Sequence, residues 1–87
     1  MPNIKQQEKR MRLAAKQRLR NRQYKSSIKT LFKRFQTSVD EQDREGATRL
    51  FTELTAKIDK AASKGVIHKN NAARKKSRVA RVYARLS

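Results

Sequence analysis

Between Lys16 and Phe35 the chain carries two stripes of helical period, and no other stretch constrains the fold as strongly. One stripe is apolar, with the spacing i, i+4, i+7, i+8, i+11: Tyr24, Ile28, Leu31, Phe32 and Phe35. The other is basic and recurs every three or four residues: Arg18, Arg22, Lys25, Lys29 and Lys33. Residues spaced in this way share one face of an α-helix. The pattern therefore predicts a helix that buries one face and presents a row of cations on another.

This helix is predicted to be unusually long. Residues 5–41 contain neither proline nor glycine, and a helix of that length spans about 55 Å, against about 30 Å for twenty residues. From Lys5 to Arg22 the charges lie all round the axis, which leaves that part no face to bury. We expect residues 1–22 to form an arm that is frayed in the free protein and ordered by its partner.

Two further helices can cover the apolar stripe. Residues 44–63 form the second, with Gly65 just after its end as a C′ residue, and its apolar positions are Ala47, Leu50, Phe51, Leu54, Ile58 and Ala61. The third begins between Ile67 and Asn70 and runs to Leu86. Its apolar positions are Ala72, Val79, Tyr83 and Leu86. The opposite side is basic, with Arg74, Arg78, Arg81 and Arg85.

The boundary between the first two helices falls within residues 37–46, where two caps compete. Asp43 can cap the second helix, and Ser38 with Glu41 can form a capping box one turn earlier. Short connections make neighbouring helices antiparallel. The sequence thus predicts an all-α fold: a three-helix bundle with an extended N-terminal helix projecting beyond the bundle. We expect one domain, residues 1–87, with the arm at 1–22 and the bundle at 23–87.

Charge points to the kind of partner. The formal net charge is +17 over 87 residues. Residues 1–34 hold twelve basic residues and one acid, residues 60–87 hold nine basic residues and no acid, and residues 35–59 carry a net −3. A solvated surface mixes both signs, whereas these two segments are nearly free of acid. Such a distribution favours a dense polyanion, and nucleic acid before any other.

Residues for catalysis are missing. The chain has no cysteine and a single histidine, His68, and its acids crowd the turn and the second helix, where they fit caps and solubilising charge. We find no nucleophile–base pair and no metal cluster, and therefore predict no enzyme, no cofactor and no small-molecule substrate. Without an apolar run of signal-peptide or membrane-spanning length, the expected location is the cytoplasm. A mitochondrial presequence is a weaker alternative.

Two groups of residues have competing interpretations. Residues 68–71, His-Lys-Asn-Asn, precede the third helix. They either contact phosphate or bases at a helix N-terminus, or His68 or Asn70 simply caps the helix, and one residue can do both. Tyr24 and Tyr83 can stack on bases, but their places on the apolar stripes favour the core.

Two stretches, RLRNRQYKSSIKTLFKRF and KGVIHKNNAARKKSRVARVYARL, resemble the matching parts of bacterial small-subunit ribosomal protein twenty. Order, spacing and length fit that family over nearly the whole chain, whereas DEQDREGATRL in the middle fits poorly and Gly46 falls early in a helix. The resemblance implies a three-helix bundle that binds 16S ribosomal RNA directly, near the base of the small subunit, and acts in its assembly. It also implies few protein contacts and no membrane.

The basic stripes and the resemblance together give a set of expected RNA-binding residues. From the first helix these are Lys5, Lys9, Arg10, Arg12, Lys16, Arg18, Arg20, Arg22, Lys25, Lys29 and Lys33. From the third helix and the residues before it these are His68, Lys69, Asn70, Arg74, Lys75, Lys76, Ser77, Arg78 and Arg81.

Two other functions fit part of the pattern. An architectural DNA-binding protein of the nucleoid satisfies the charge argument equally well. Such proteins commonly insert an apolar wedge into the minor groove, and the sequence does not indicate one facing solvent. A membrane-active basic amphipath needs a free apolar face, whereas here three stripes can cover one another.

Overall fold

The computed structural model describes residues 4–86. Three helices follow one another: α1 (Ile4–Asp40), α2 (Arg44–Ser63) and α3 (Lys69–Tyr83). α2 packs against both α1 and α3, which make few contacts with each other. The described residues contain no strand. The predicted all-α fold with a long first helix is therefore confirmed.

The N-terminal half of α1 projects from the bundle. The described part of the arm, residues 4–22, is exposed throughout except at Asn21, which is half-buried. The molecule measures 64 × 20 × 13 Å, so a single helix sets its length. Arg20 marks the place where α1 reaches its partners, because its guanidinium donates a 3.4 Å hydrogen bond to the carbonyl of Lys64. Residues 1–3 and Ser87, the ends of the predicted arm and bundle, lie outside the described residues.

The core lies where the three apolar stripes meet. Its largest fully buried side chains are Phe35, Leu54, Ile58, Val39 and Val79. Tyr83 belongs to it as well: its ring stacks on Phe35 at 6.4 Å between centroids, and its hydroxyl shares a 2.8 Å hydrogen bond with Thr48. Tyr24 also packs against this cluster. Both tyrosines thus pack against the core, as their spacing favoured, and both are half-buried.

Asp43 decides where α2 begins. Its carboxylate accepts a 3.1 Å hydrogen bond from the backbone N–H of Gly46, while Ser38 remains inside α1. The alternative capping box is not formed. A Cβ at position 46 would collide with the carboxylate of Asp43. A larger residue at position 46 would therefore require the Asp43 carboxylate to shift from the position it takes in this cap.

A Schellman motif ends α2 and brings two further residues into the core. Gly65 has a φ of 74°. The N–H of Val66 bonds to the carbonyl of Ala61 at 2.9 Å, and that of Gly65 bonds to Ala62 at 3.1 Å. This reversal buries Val66 and Ile67. These two residues, together with Val39 and Val82, are buried but were not among the apolar positions predicted from the sequence.

α3 is shorter than predicted. It ends at Tyr83 instead of Leu86, because the last amides bond three residues back, Arg85 to Val82 and Leu86 to Tyr83, both at 3.1 Å. Bonds of this type tighten the final turn out of α-helical geometry. Leu86 still packs against the core.

Candidate nucleic-acid interface

The surface of the arm is basic, with scattered apolar side chains. Its acid within residues 4–22 is Glu8, which lies 3.9 Å from Arg12 in an exposed pair and so cancels little of the charge. Large apolar side chains are also more than half exposed here: Ile4, Met11, Leu13 and Leu19. The expectation that no apolar wedge faces solvent is therefore wrong. These residues lie on a helix that extends past the end of the bundle, where no other element can cover them.

Nearly all the expected RNA-binding residues are accessible. Every one of the twenty is exposed except Lys75, which is half-buried. Accessibility alone does not make an interface, because surface lysine and arginine are ordinary. What matters is which of these side chains the fold brings together.

A groove of about 460 Å³ lies between α1 and α3 and joins the two basic segments. Its floor is apolar, formed by Ile28, Phe32, Leu54, Ile58, Ile67 and Val79. Its rim is cationic, with Lys25, Lys29 and Lys33 from α1 and Lys75 and Arg78 from α3. We call this the α1–α3 groove. It exists because α2 packs against both helices while they barely touch each other.

The sign of the charge distinguishes this groove from the other side of α1. No carboxylate is among the residues that line the α1–α3 groove. The hollow between α1 and α2 contains Glu53 beside Arg34 and Lys57, so its charges are mixed. Like charges facing one another across the α1–α3 groove repel, and a bound anion would relieve that repulsion.

Two polar residues of the α1–α3 groove were not among the twenty expected RNA-binding residues, although Asn71 belongs to residues 68–71, which the sequence offered as a contact with phosphate or bases. Gln36 and Asn71 complete its lining, one from each helix. Gln36 lies three residues after Lys33 and Asn71 four before Lys75, so the helical repeat of the basic stripes could have identified both. Their amides offer both hydrogen-bond donors and acceptors to a ligand.

The helical spacing predicted that Arg78 lies on the side of α3 opposite the core, and this prediction is wrong. The guanidinium carbon of Arg78 lies 4.9 Å from the centroid of the Phe32 ring, within the range of a cation–π contact. The basic side of α3 is therefore divided. All three arginines are exposed, but Arg78 leans toward α1, whereas Arg74 and Arg81 have no such contact with Phe32.

Lys76 turns to the other flank of α3. Its ammonium lies 2.9 Å from the carboxylate of Asp59 on α2. Both side chains are about half exposed, 45% for Lys76 and 58% for Asp59, so the pair contributes little stability. The structure therefore separates Lys76 from Lys75, its neighbour in sequence, which lines the α1–α3 groove.

His68 caps α3. Its Nδ1 atom accepts a 3.1 Å hydrogen bond from the backbone N–H of Asn70, so the capping interpretation is confirmed. The side chains of His68, Lys69 and Asn70 are all exposed. A contact with RNA at this end of α3 stays a prediction, and the cap does not exclude it.

Neither a metal centre nor a membrane span is present in residues 4–86. In that range no group of three or more His, Cys, Asp or Glu side chains is placed to hold a metal ion. The helices there lack the apolar length that crossing a bilayer requires.

Known proteins similar to this chain agree with one another. The family model described as Ribosomal protein S20 matches residues 2–84. The small ribosomal subunit protein bS20 of Natranaerobius thermophilus is 52% identical over 79 residues, which cover 91% of this chain and 90% of that protein. The protein of the same name from Mycobacterium leprae strain Br4923 is 49% identical over 86 residues, 99% of this chain and 100% of that protein. The one from Clostridium perfringens is 46% identical over 80 residues, 92% of each.

These matches confirm the resemblance noted in the sequence, and with it the predicted location at the ribosome. They cover nearly the whole chain, so they apply to the arm and the bundle together. The chain belongs to the ribosomal protein S20 family and is a structural protein of the ribosome, not an enzyme.

Proposed function

We propose that this protein binds 16S ribosomal RNA directly in the small ribosomal subunit and supports assembly of that subunit. The observation that carries the proposal is the α1–α3 groove, where cations from both basic segments line one concave surface without a carboxylate. The names of the relatives, small ribosomal subunit proteins, support the choice of RNA. We expect few protein contacts, no membrane and no small-molecule substrate.

Binding would proceed through phosphates and shape. The deep major groove of A-form RNA is closed to side chains, so rows of lysine and arginine would contact the backbone. Arginine suits this task because its planar fork meets two phosphate oxygens at once. By neutralising phosphates on two RNA segments, the protein would let those segments approach each other, which is how a small basic protein can promote assembly.

The arm would acquire its order from the RNA. Residues 4–20 are exposed on all sides, and a helix without a buried face is stable only with support from elsewhere. Phosphates packed around the arm would supply that support and remove the repulsion between its cations. We therefore assign residues 1–22 to an RNA-ordered arm and residues 23–87 to the bundle.

An architectural role on DNA is the competing function, and one observation favours it. Leu13 and Leu19 are 51% and 55% exposed on the basic arm, and apolar side chains in such a place can wedge between base steps. The relatives are ribosomal proteins, which favours RNA. The two functions can be distinguished by whether duplex DNA displaces small-subunit ribosomal RNA from the protein.

The test measures affinity of the full chain for small-subunit ribosomal RNA while unlabelled duplex DNA or large-subunit RNA is added in excess. We expect the small-subunit RNA to be retained. We also expect affinity to fall by about three decades between 50 and 200 mM salt if six or more phosphates are contacted, by analogy with DNA. Displacement by duplex DNA as complete as by the same excess of unlabelled small-subunit RNA would overturn the proposal, as would an affinity that does not change with salt.

A further inference from the structure

The α1–α3 groove has a more specific use than neutralising a backbone. Building on the proposed RNA binding, we propose that this groove receives one unpaired nucleotide extruded from the RNA. The base stacks against Phe32 and the guanidinium of Arg78, and the phosphates on either side of it bind the cationic rim.

The first argument is the mixed chemistry of the groove. A duplex backbone lying across the rim would satisfy the cations and leave Phe32, the half-buried member of the floor, uncovered. The floor includes Leu54 and Ile58, fully buried at the bottom, and Phe32, which is only half-buried. A single nucleotide has both parts that the groove requires: a flat base that stacks on apolar and aromatic surfaces, and phosphates for the rim.

The second argument is size and geometry. The groove holds about 460 Å³, within the range of about 300–1,000 Å³ typical of sites for small organic ligands. Arg78 lies over Phe32 at 4.9 Å, which restrains its guanidinium, and guanidinium planes are surfaces on which RNA bases stack. Gln36 and Asn71 place one amide on each side of the groove, where each can pair with a base edge.

The third argument concerns the class of partner. An acidic protein segment would also suit a cationic rim. However, the rim lysines of α1 belong to the same stripe as Arg18 and Arg22, which continues from the bundle onto the arm. A strand of RNA can follow that stripe and enter the α1–α3 groove with one nucleotide, whereas a short acidic segment would leave the arm unoccupied.

The experiment fills the groove without changing its charge. Gln36→Trp and Asn71→Trp, made separately, introduce a bulky side chain from α1 and from α3. Thr37→Trp and Ala73→Trp are the matched controls, since both positions are exposed, close in sequence and outside the groove lining. For each full-length variant we would measure melting temperature, affinity for small-subunit ribosomal RNA, affinity for a polyglutamate peptide, and dimethyl sulfate reactivity of unpaired bases in the RNA complex.

We expect both filled variants to lose about ten-fold or more in affinity, the effect of losing one stacked base, with a salt slope shallower by up to about one for each flanking phosphate that leaves the rim. One unpaired base should be protected by the wild type and both controls, and reactive with both filled variants. Each filled variant should melt within a few degrees of its control, and the two positions on different helices keep the test valid if one variant folds poorly.

The outcomes separate this proposal from the one it builds on. If the wild type shows no preference for small-subunit RNA, RNA binding fails and the groove assignment falls with it. If the wild type binds and the filled variants bind equally well, only the groove assignment is overturned. Unchanged RNA affinity together with loss of binding to a polyglutamate peptide would assign the α1–α3 groove to an acidic protein segment.

Discussion

The guanidinium carbon of Arg78 lies 4.9 Å from the centre of the Phe32 ring, and this pair connects α3 to α1 across the groove that separates them. The two helices otherwise make few contacts. Arg78 therefore has two roles, since it packs on Phe32 and adds charge to the rim. A substitution of Arg78 changes both at once. Removal of Arg78 should alter both stability and binding, whereas removal of Arg74 or Arg81 should alter binding with little effect on stability.

The first prediction separates these roles by stability. Arg78→Gln should lower the free energy of unfolding by about 0.5–1 kcal/mol, the size of an exposed cation–π contact. Arg74→Gln removes the same charge from an exposed position and should change stability by no more than about 0.5 kcal/mol. Urea unfolding followed by circular dichroism measures both. Equal effects from the two substitutions would show that the contact with Phe32 adds no stability.

The second prediction concerns the core. Leu54 is fully buried where all three helices meet, so Leu54→Ala should cost about 2–5 kcal/mol through lost transfer energy and the cavity left behind. Leu50→Ala, at a half-buried position on the same helix, should cost less. The urea midpoint should move without a change in slope. A cost for Leu54→Ala within about 0.5 kcal/mol, as at surface sites, would contradict its place in the core.

A third prediction follows from the exposed arm. In the free protein, amide hydrogens before about Arg20 should exchange quickly, because nothing packs on that part of α1. Those of Leu54 and Val79, which lie in the buried core, should exchange slowly. Addition of small-subunit RNA should slow exchange in the arm. Strong protection between Lys5 and Arg18 without RNA would show that the arm is ordered by itself.

The fourth prediction tests whether position or total charge governs binding. Arg74→Gln/Arg81→Gln removes two exposed cations from α3, and Arg49→Gln/Lys60→Gln removes two from α2. The α3 pair should weaken RNA binding and make the salt slope shallower by up to about one for each phosphate that is no longer bound. The α2 pair should change affinity little, because Arg49 and Lys60 lie on the helix that carries Glu53 and Asp59. An equal reduction in affinity for both pairs would mean that net charge alone determines binding.

The helices, their apolar faces and the segregation of charge depend on local chemistry, and the sequence by itself was enough to predict them. The helical repeat places Ile28, Leu54 and Val79 on the apolar stripes of their helices, and this spacing can be read directly from the sequence. The left-handed turn at Gly65 depends on residues a few positions away, whereas the sequence offered two caps for the start of α2, and the structure selected Asp43. Charge segregation, too, is a property of the chain and needs no fold.

Tertiary packing decided how the cations are grouped. Helical period tells which residues share a face, but not which flank of that face meets a neighbouring helix. Packing of α2 against both other helices set Lys29 and Lys75 around one groove, turned Lys76 to Asp59, and brought Arg78 onto Phe32. These contacts join residues far apart in the chain, so they depend on the relative rotation and tilt of packed helices, which only the folded structure specifies.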